Sequence, residues 1–283
     1  MKLPHPLTGD LFDSPVPPGT GWPEDPAARR TPVARDAAEV VQLARTGDLG
    51  ELDARVSVCK ACPRLVEWRE EVAVGKRKSF AGQPYWGRPI AGWGVPEPEV
   101  LIVGLAPAAN GGNRTGRVFT GDRSGDWLFA SLYRVGLASR PTSEHAGDGL
   151  HLFGTRMIAA VRCAPPANKP TPAERDTCAP WYRRELELVL PSTRAIVCLG
   201  KFAYDALLTA LVALGAGVPR PRPKFGHAVE YQIPTPYGEV TVLGCFHPSQ
   251  QNTFTGKLTE PMLDAVFQKA RELADSLAKV PRL

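Results

Sequence analysis

From residue 100 onward, short and nearly continuous apolar runs alternate with longer stretches in which apolar residues return every three or four positions. The first pattern marks strands buried on both faces, the second marks helices that bury one stripe. Strands are expected at Val100 to Gly104 (VLIVG), Met157 to Val161 (MIAAV), Ala195 to Leu199 (AIVCL) and Val240 to Gly244 (VTVLG). Helices are expected at Gly125 to Val135, Ala173 to Leu190 and Phe202 to Leu214, with a last one from Thr259 to about Leu277. Buried strands separated by helices predict an α/β fold, a three-layer α/β/α sandwich around a central, mainly parallel four-stranded sheet. In such sheets ligands sit at the carboxyl ends of the strands, so the loops after Gly104, Val161, Leu199 and Gly244 are where chemistry is expected.

Upstream the pattern is weaker. Val40, Val41 and Leu43, then Leu49, Leu52 and Val56, recur at helical intervals and run into Cys59 and Cys62. Residues 79–98 mix glycine, proline and aromatics and read as an irregular connection. The first 35 residues hold eight prolines and little periodicity, which predicts an extended arm that wraps the domain or stays mobile. Residues 36–283 are then expected to form a single domain.

Composition narrows the picture. Twenty-nine prolines and 27 glycines make about a fifth of the 283 residues, below the level of low-complexity chains, and 43% hydrophobic residues can fill a core. The longest apolar stretch, Leu207 to Val218, is broken by Thr209 and two glycines and is too short to span a bilayer. No secretory apolar core occurs in Met1 to Gly21, so a reducing cytoplasm is expected. There, six cysteines point to metal or catalysis over disulfides. A net charge of +5 permits a polyanionic partner without demanding one.

Cys59 and Cys62 form a C-x2-C pair, and Cys163 and Cys178 flank a proline-rich stretch about 100 residues later. Four soft ligands suit either an iron-sulfur cluster or structural zinc, and the spacing alone does not separate them. Cys198 and Cys245 lie in or beside apolar runs and read as small buried hydrophobes.

Two loops carry candidate chemistry. After the first strand, residues 104–122 (GLAPAANGGNRTGRVFTGD) hold five glycines and no bulky side chain before Arg114, which lets backbone amides approach a ligand. Neither nucleotide-phosphate glycine motif is present. After the last strand, residues 245–256 (CFHPSQQNTFTG) place His247 at a strand end, followed by a direction-fixing proline. Asp122 and Ser124 both precede the helix expected next, where Asp122 reads as its N-cap.

GLAPAANGGNRTGRVFTGD, CAPPANKPTP and HPSQQNTFTG, together with the four cysteines, resemble the family 5 uracil-DNA glycosylases, the iron-sulfur branch with broad base tolerance. The resemblance runs from roughly Cys59 to Gly256. It implies a sandwich fold and a four-iron four-sulfur cluster on Cys59, Cys62, Cys163 and Cys178. It also implies hydrolysis of the glycosidic bond of uracil, and of other deaminated or damaged bases, after the nucleotide is taken out of the stack. Phe119 would stack on the base and Asn168 would read its edge. His247 and the amides of Ala106 and Ala108 would meet the negative charge gathering on the leaving base. Asp122 would orient the water, since Leu105 stands where related families place a polar residue, and Asn110 stands where a histidine is expected.

In this reading the partner is DNA, no membrane is involved, and the protein acts as a monomer. Arg114 and Arg117, Lys76 to Lys78 and Arg220 to Lys224 are candidate phosphate contacts. Gln250, Gln251 and Asn252 are candidates to fill the gap left by the flipped nucleotide. With no lysine at a matched catalytic position, a monofunctional enzyme leaving an abasic site is expected. The rival is a non-catalytic iron-sulfur protein that binds DNA or passes electrons.

Overall fold

The structure, a computed structural model, describes residues 2–277. The chain begins with a small ladder, β1 (Leu3–Pro4) against β2 (Leu11–Phe12). Helices α1 (Ala37–Ala44), α2 (Leu49–Ser57) and α3 (Pro63–Gly75) follow, then β3 (Trp93–Gly94), β4 (Val100–Gly104), α4 (Gly112–Thr115) and α5 (Arg123–Arg134). After these come β5 (Thr155–Ala159), α6 (Pro172–Val189), β6 (Ala195–Leu199), α7 (Lys201–Ala213), β7 (Glu230–Thr235), β8 (Gly238–Cys245), α8 (Gln250–Phe254) and α9 (Glu260–Leu277).

The central sheet has the order β3-β5-β4-β6-β8-β7. Its middle four strands, β5, β4, β6 and β8, are mutually parallel and correspond to the four apolar runs. The expected four-stranded sheet is therefore the interior of a six-stranded mixed one, because β3 and β7 add antiparallel edges. Both edges escape the apolar-run signal for physical reasons. β3 is two residues long, and β7 buries Ile233 alone while carrying Pro234, which suits a half-solvated edge strand.

Alternation along each strand splits the core into two layers. Val100 and Ile102 of β4 join Leu128 and Leu132 of α5 and Leu263 and Phe267 of α9. Leu101 and Val103 turn the other way, onto Leu186 of α6 and Leu207 and Leu211 of α7. A third cluster packs Val40, Leu52 and Val56 of the N-terminal helices on Trp181 of α6. α3 is the one long helix the apolar pattern does not announce. Its buried stripe is Leu65, Arg69 and Ala73, so a charged residue stands where an apolar one would have been read.

The N-terminal arm wraps the domain. Phe12, Val16 and Trp22 are buried in the same layer as α5, and Asp25 accepts two hydrogen bonds from the buried Arg88 guanidinium at 2.9 Å each. No helix among the described residues is long and apolar enough to cross a membrane.

Candidate active site and thiol cage

A cleft of about 900 Å³ opens at the carboxyl ends of the central strands. Asp122, Ala108, Asn110, Asn168 and Gln250 line it, so both expected loops and the loop after β5 converge there. Asp122 is the N-cap of α5: its Oδ1 accepts from the Gly125 amide at 3.0 Å. The two readings of this residue are thus compatible, because capping occupies one oxygen. The other, Oδ2, lies against Gly111, where any Cβ would collide with it. Burial pushes the Asp122 carboxyl above its usual range, opposed by the Gly125 and Ser124 amides and by Arg114.

Three residues of the loops after β4 and β5 share an unusual backbone. Phe119 (φ 54°), Ala167 (φ 51°) and Asn168 (φ 56°) are non-glycine residues in the left-handed region, each at a cost of order 1 kcal/mol. Phe119 lays its half-buried ring against Gly104, a contact that any side chain at 104 would block. Phe119 thus sits at the end of β4 and is not among the residues that line the cleft. Asn168 presents an exposed side-chain amide with no hydrogen bond among the described residues, while its backbone amide donates to the Pro165 carbonyl at 3.1 Å. The amides of Ala106 and Ala108 likewise have no acceptor among the described residues, while the Ala108 carbonyl takes those of Gly111 and Asn113.

His247 follows β8 and rests on the turn between β6 and α7, with Gly200 beneath its Cβ. Burial lowers its pKa to about 4, so the ring is neutral at physiological pH and carries one N–H. The Asn252 Nδ2 donates to the His247 carbonyl at 2.8 Å, which clamps this loop. Asn252 is therefore not free to fill a gap in DNA, whereas Gln250 and Gln251 are exposed on α8.

Two phosphate candidates are corrected. Arg114 is buried, stacks on Phe80, and donates to Gln83 Oε1, Asn110 O and Gly121 O at 2.8–2.9 Å. It braces both ends of the glycine-rich loop, since a buried guanidinium must place its donors locally. Arg117 is buried against Trp93 and paired with Asp148. Arg77, Lys78, Arg220, Arg222 and Lys224 are exposed, and Arg77 and Arg123 border the cleft itself.

Residues that the sequence did not single out hold the site together. The Tyr85 hydroxyl donates to Asn110 Oδ1 at 3.0 Å, fixing the residue that stands in the histidine position. Arg64 of α3 grips Glu174, the capping-box residue of α6, with two 2.8 Å hydrogen bonds and reaches the Lys169 carbonyl beside Asn168. Tyr85 lay hidden in the glycine, proline and aromatic stretch, and Arg64 in a helix with no clear apolar stripe.

Cys59, Cys62, Cys163 and Cys178 all line one small cavity, brought together from the α2–α3 junction, the loop after β5 and α6. Burial and the neighbouring thiols push Cys62 up to about 12 and raise Cys59 and Cys178. Once ionised, thiols gathered this closely call for a compensating cation, and the donor set therefore fits a thiolate-ligated group. The Arg69 guanidinium, also buried, donates to Cys163 Sγ at 2.9 Å and to the Cys59 carbonyl at 3.1 Å. Among the described residues, no three of the His, Cys, Asp and Glu side chains are arranged to hold a single metal ion. Cys198 and Cys245 are fully buried in the sheet, as expected.

Comparison with known proteins agrees with the geometry. The family model for the uracil DNA glycosylase superfamily matches residues 91–271. A type-5 uracil-DNA glycosylase of Mycobacterium bovis is 58% identical over 271 residues, 95% of this chain and 98% of its own length. One from Thermus thermophilus is 48% identical over 219 residues, 77% of this chain and 95% of its own. A type-4 uracil-DNA glycosylase of Archaeoglobus fulgidus is 27% identical over 162 residues, 56% of this chain and 70% of its own.

Proposed function

The chain belongs to the uracil DNA glycosylase superfamily, and from that premise we propose that it hydrolyses the N-glycosidic bond of uracil in DNA as a type-5 enzyme, accepts other deaminated or damaged bases, and leaves an abasic site. The observation that carries the reading is the meeting of Asp122, Asn168 and the small-residue loop in one cleft at the carboxyl ends of the sheet.

Each group has a defined task. Extruding the nucleotide costs a few kcal/mol, and the base must then be read along its edge. Asn168 offers one donor and one acceptor for that edge, and Phe119 offers an aromatic face. As the glycosidic bond breaks, its electron pair leaves with the base. In this reading the neutral N–H of His247, which lies outside the cleft lining, and the unpaired amides of Ala106 and Ala108 donate to the carbonyl oxygen where that charge gathers. One such donor is worth about 3 kcal/mol in the transition state. Asp122, ionised at its free oxygen, orients a water toward the sugar carbon and stabilises the positive charge developing there. The small side chains at Ala106, Ala108 and Ala109 reject little, which supports tolerance for other bases. Hydrolysis by water, with no covalent intermediate, is supported by a cleft lining without lysine among the described residues.

Cys59, Cys62, Cys163 and Cys178 would hold the four-iron four-sulfur cluster, which would supply a structural cross-link and no step of the hydrolysis. The cage lined by all four thiols supports this assignment.

Purified, iron-replete protein incubated with a uracil-containing duplex should yield abasic sites that break only after alkali. Recovery of intact strands after prolonged incubation would reject the activity, and strand scission without alkali would reject the monofunctional chemistry.

A further inference from the structure

The cleft has a wall that belongs neither to the glycine-rich loop nor to the histidine loop: Pro6 and Leu7, at the tip of the N-terminal β1–β2 hairpin, border it together with Asp122 and Asn168. The tip is apolar and wet, with Leu7 44% exposed at the cleft mouth. It is also held firmly. Leu3 pairs with Phe12 and Pro4 with Leu11, the His5 amide donates to the Asp10 carbonyl at 2.8 Å, and the Gly9 amide returns to the His5 carbonyl at 2.9 Å.

Beneath the tip, the His5 side chain is 1% exposed and its ring meets His145 at 4.3 Å and Trp22 at 4.8 Å. Its Nδ1 accepts from the amides of both Leu7 and Thr8 at 3.3 Å, so the turn is organised around a buried side chain. His145 and its neighbours Ser143 and Glu144 border the cleft too, so the hairpin is docked on a segment of the site.

We propose that this hairpin tip is a DNA-probing element, in which Leu7, backed by Pro6, packs against the base stack of the duplex next to the extruded nucleotide. The inference rests on the glycosylase reading above and extends it to a part of the chain to which that reading gives no role. The faces of the bases are the apolar surface that DNA offers, and apolar side chains, leucine and proline among them, are the usual wedges between base steps. A rigid mount suits that task, since a mobile tip would lose on ordering part of what it gained on contact. Arg77 and Arg123, which border the same cleft, supply the positive charge that phosphates flanking an inserted residue require. With the Asn252 amide turned inward onto the His247 carbonyl, α8 presents Gln250 and Gln251 alone of its three candidates. The hairpin adds an apolar contact that those polar residues do not.

The test compares duplex with single-stranded DNA, because stacking on a neighbouring base pair exists only in the first. Binding is measured on oligonucleotides carrying a non-cleavable deoxyuridine analogue, and single-turnover cleavage on their uracil counterparts, for wild type, Leu7→Ser, Leu7→Met and Leu11→Ser. Leu11 lies on the same hairpin and is 59% exposed, but it does not border the cleft. Leu7→Ser should weaken duplex binding about tenfold, as expected for losing one buried leucine contact, and leave single-strand binding within about twofold. Leu7→Met should behave as wild type, and Leu11→Ser should change neither. Unchanged duplex binding in Leu7→Ser overturns the proposal, as do equal losses on both substrates, which would mark Leu7 as part of the pocket wall. A wild-type protein that cleaves neither substrate would instead remove the glycosylase reading, so the two failures are distinct.

Discussion

The proposed function gives Asp122 a catalytic duty beside its capping one, and the conflict between them is measurable. Its Oδ1 caps α5, which stabilises the helix by about 1 kcal/mol, while burial raises its pKa and so makes the ionised form costly. A carboxyl whose folded pKa exceeds its unfolded value stabilises the fold below the unfolded value, and that contribution is lost as pH rises through the folded one. Asparagine keeps the cap and removes the charge. Asp122→Asn should therefore melt no lower than wild type at pH 8, while single-turnover cleavage of a uracil duplex falls by roughly 10²–10⁴-fold. In the wild type the cleavage rate should rise with pH through the raised Asp122 pKa. His247 is tested by replacement with alanine. Its pKa near 4 makes it a neutral donor, so His247→Ala should slow the chemical step by about 10²–10³-fold and leave the rate profile above pH 6 unchanged in shape.

At the scale of elements, α3 and α6 form the seam between thiol cage and cleft. Arg69 of α3 touches Cys163 with its guanidinium, while its own carbonyl accepts from Asn113 Nδ2 in α4 at 3.1 Å, so one residue bridges the cage and the glycine-rich loop. Arg64 does the same for the loop of Asn168 through Glu174. On the cluster assignment proposed above, Cys163→Ser should lose the visible absorbance of an iron-sulfur chromophore, lower the melting temperature, and weaken uracil cleavage through misplaced loops. Iron content and thermal unfolding followed on one preparation check this. Behind the seam lies a buried ionic cluster. Glu185 of α6 is fully buried and accepts from Arg156 Nε at 2.7 Å and from Arg162 Nη2 at 2.5 Å, while Arg156 also forks onto Asp53 of α2. Glu185→Gln leaves two arginines undercompensated, and denaturant unfolding should show a loss of about 3–5 kcal/mol. An exposed pair such as Lys201–Asp205 should contribute under about 1 kcal/mol by the same measurement.

For the whole molecule, the histidines set the acid limit. His5, His145, His227 and His247 all have pKa values lowered by burial from the usual 6.5, His145 to about 3 and His247 to about 4. A base with a lowered folded pKa stabilises the fold above its unfolded value and loses that contribution as pH falls toward the folded one. Each such group costs up to about 1.4 kcal/mol per pH unit across its window. Asp53, raised to about 7 by burial and by Glu185, acts in the opposite sense and blunts the loss. Melting temperature should thus fall steeply from pH 6.5 toward pH 4, and His145→Phe should flatten part of that fall if it folds.

The amino-acid sequence by itself determined the four parallel strands, the principal helices, the glycine-rich loop and the histidine loop, because each is written in local periodicity or in a contiguous run of residues. Val100–Gly104 and Ala195–Leu199 are strands to the residue, since a strand buried on both faces leaves no polar interruption. Tertiary structure alone decided the rest. Whether a charged side chain reaches water depends on what packs over it, so Arg114 and Lys78, alike in sequence, end as an internal brace and a surface cation. The pairing of edge strand β3 with β5, the brace from Tyr85 to Asn110 and the docking of the hairpin tip beside Asp122 join residues far apart in the chain. Their partners are chosen by shape and by the need to satisfy buried donors, and no local pattern records that choice.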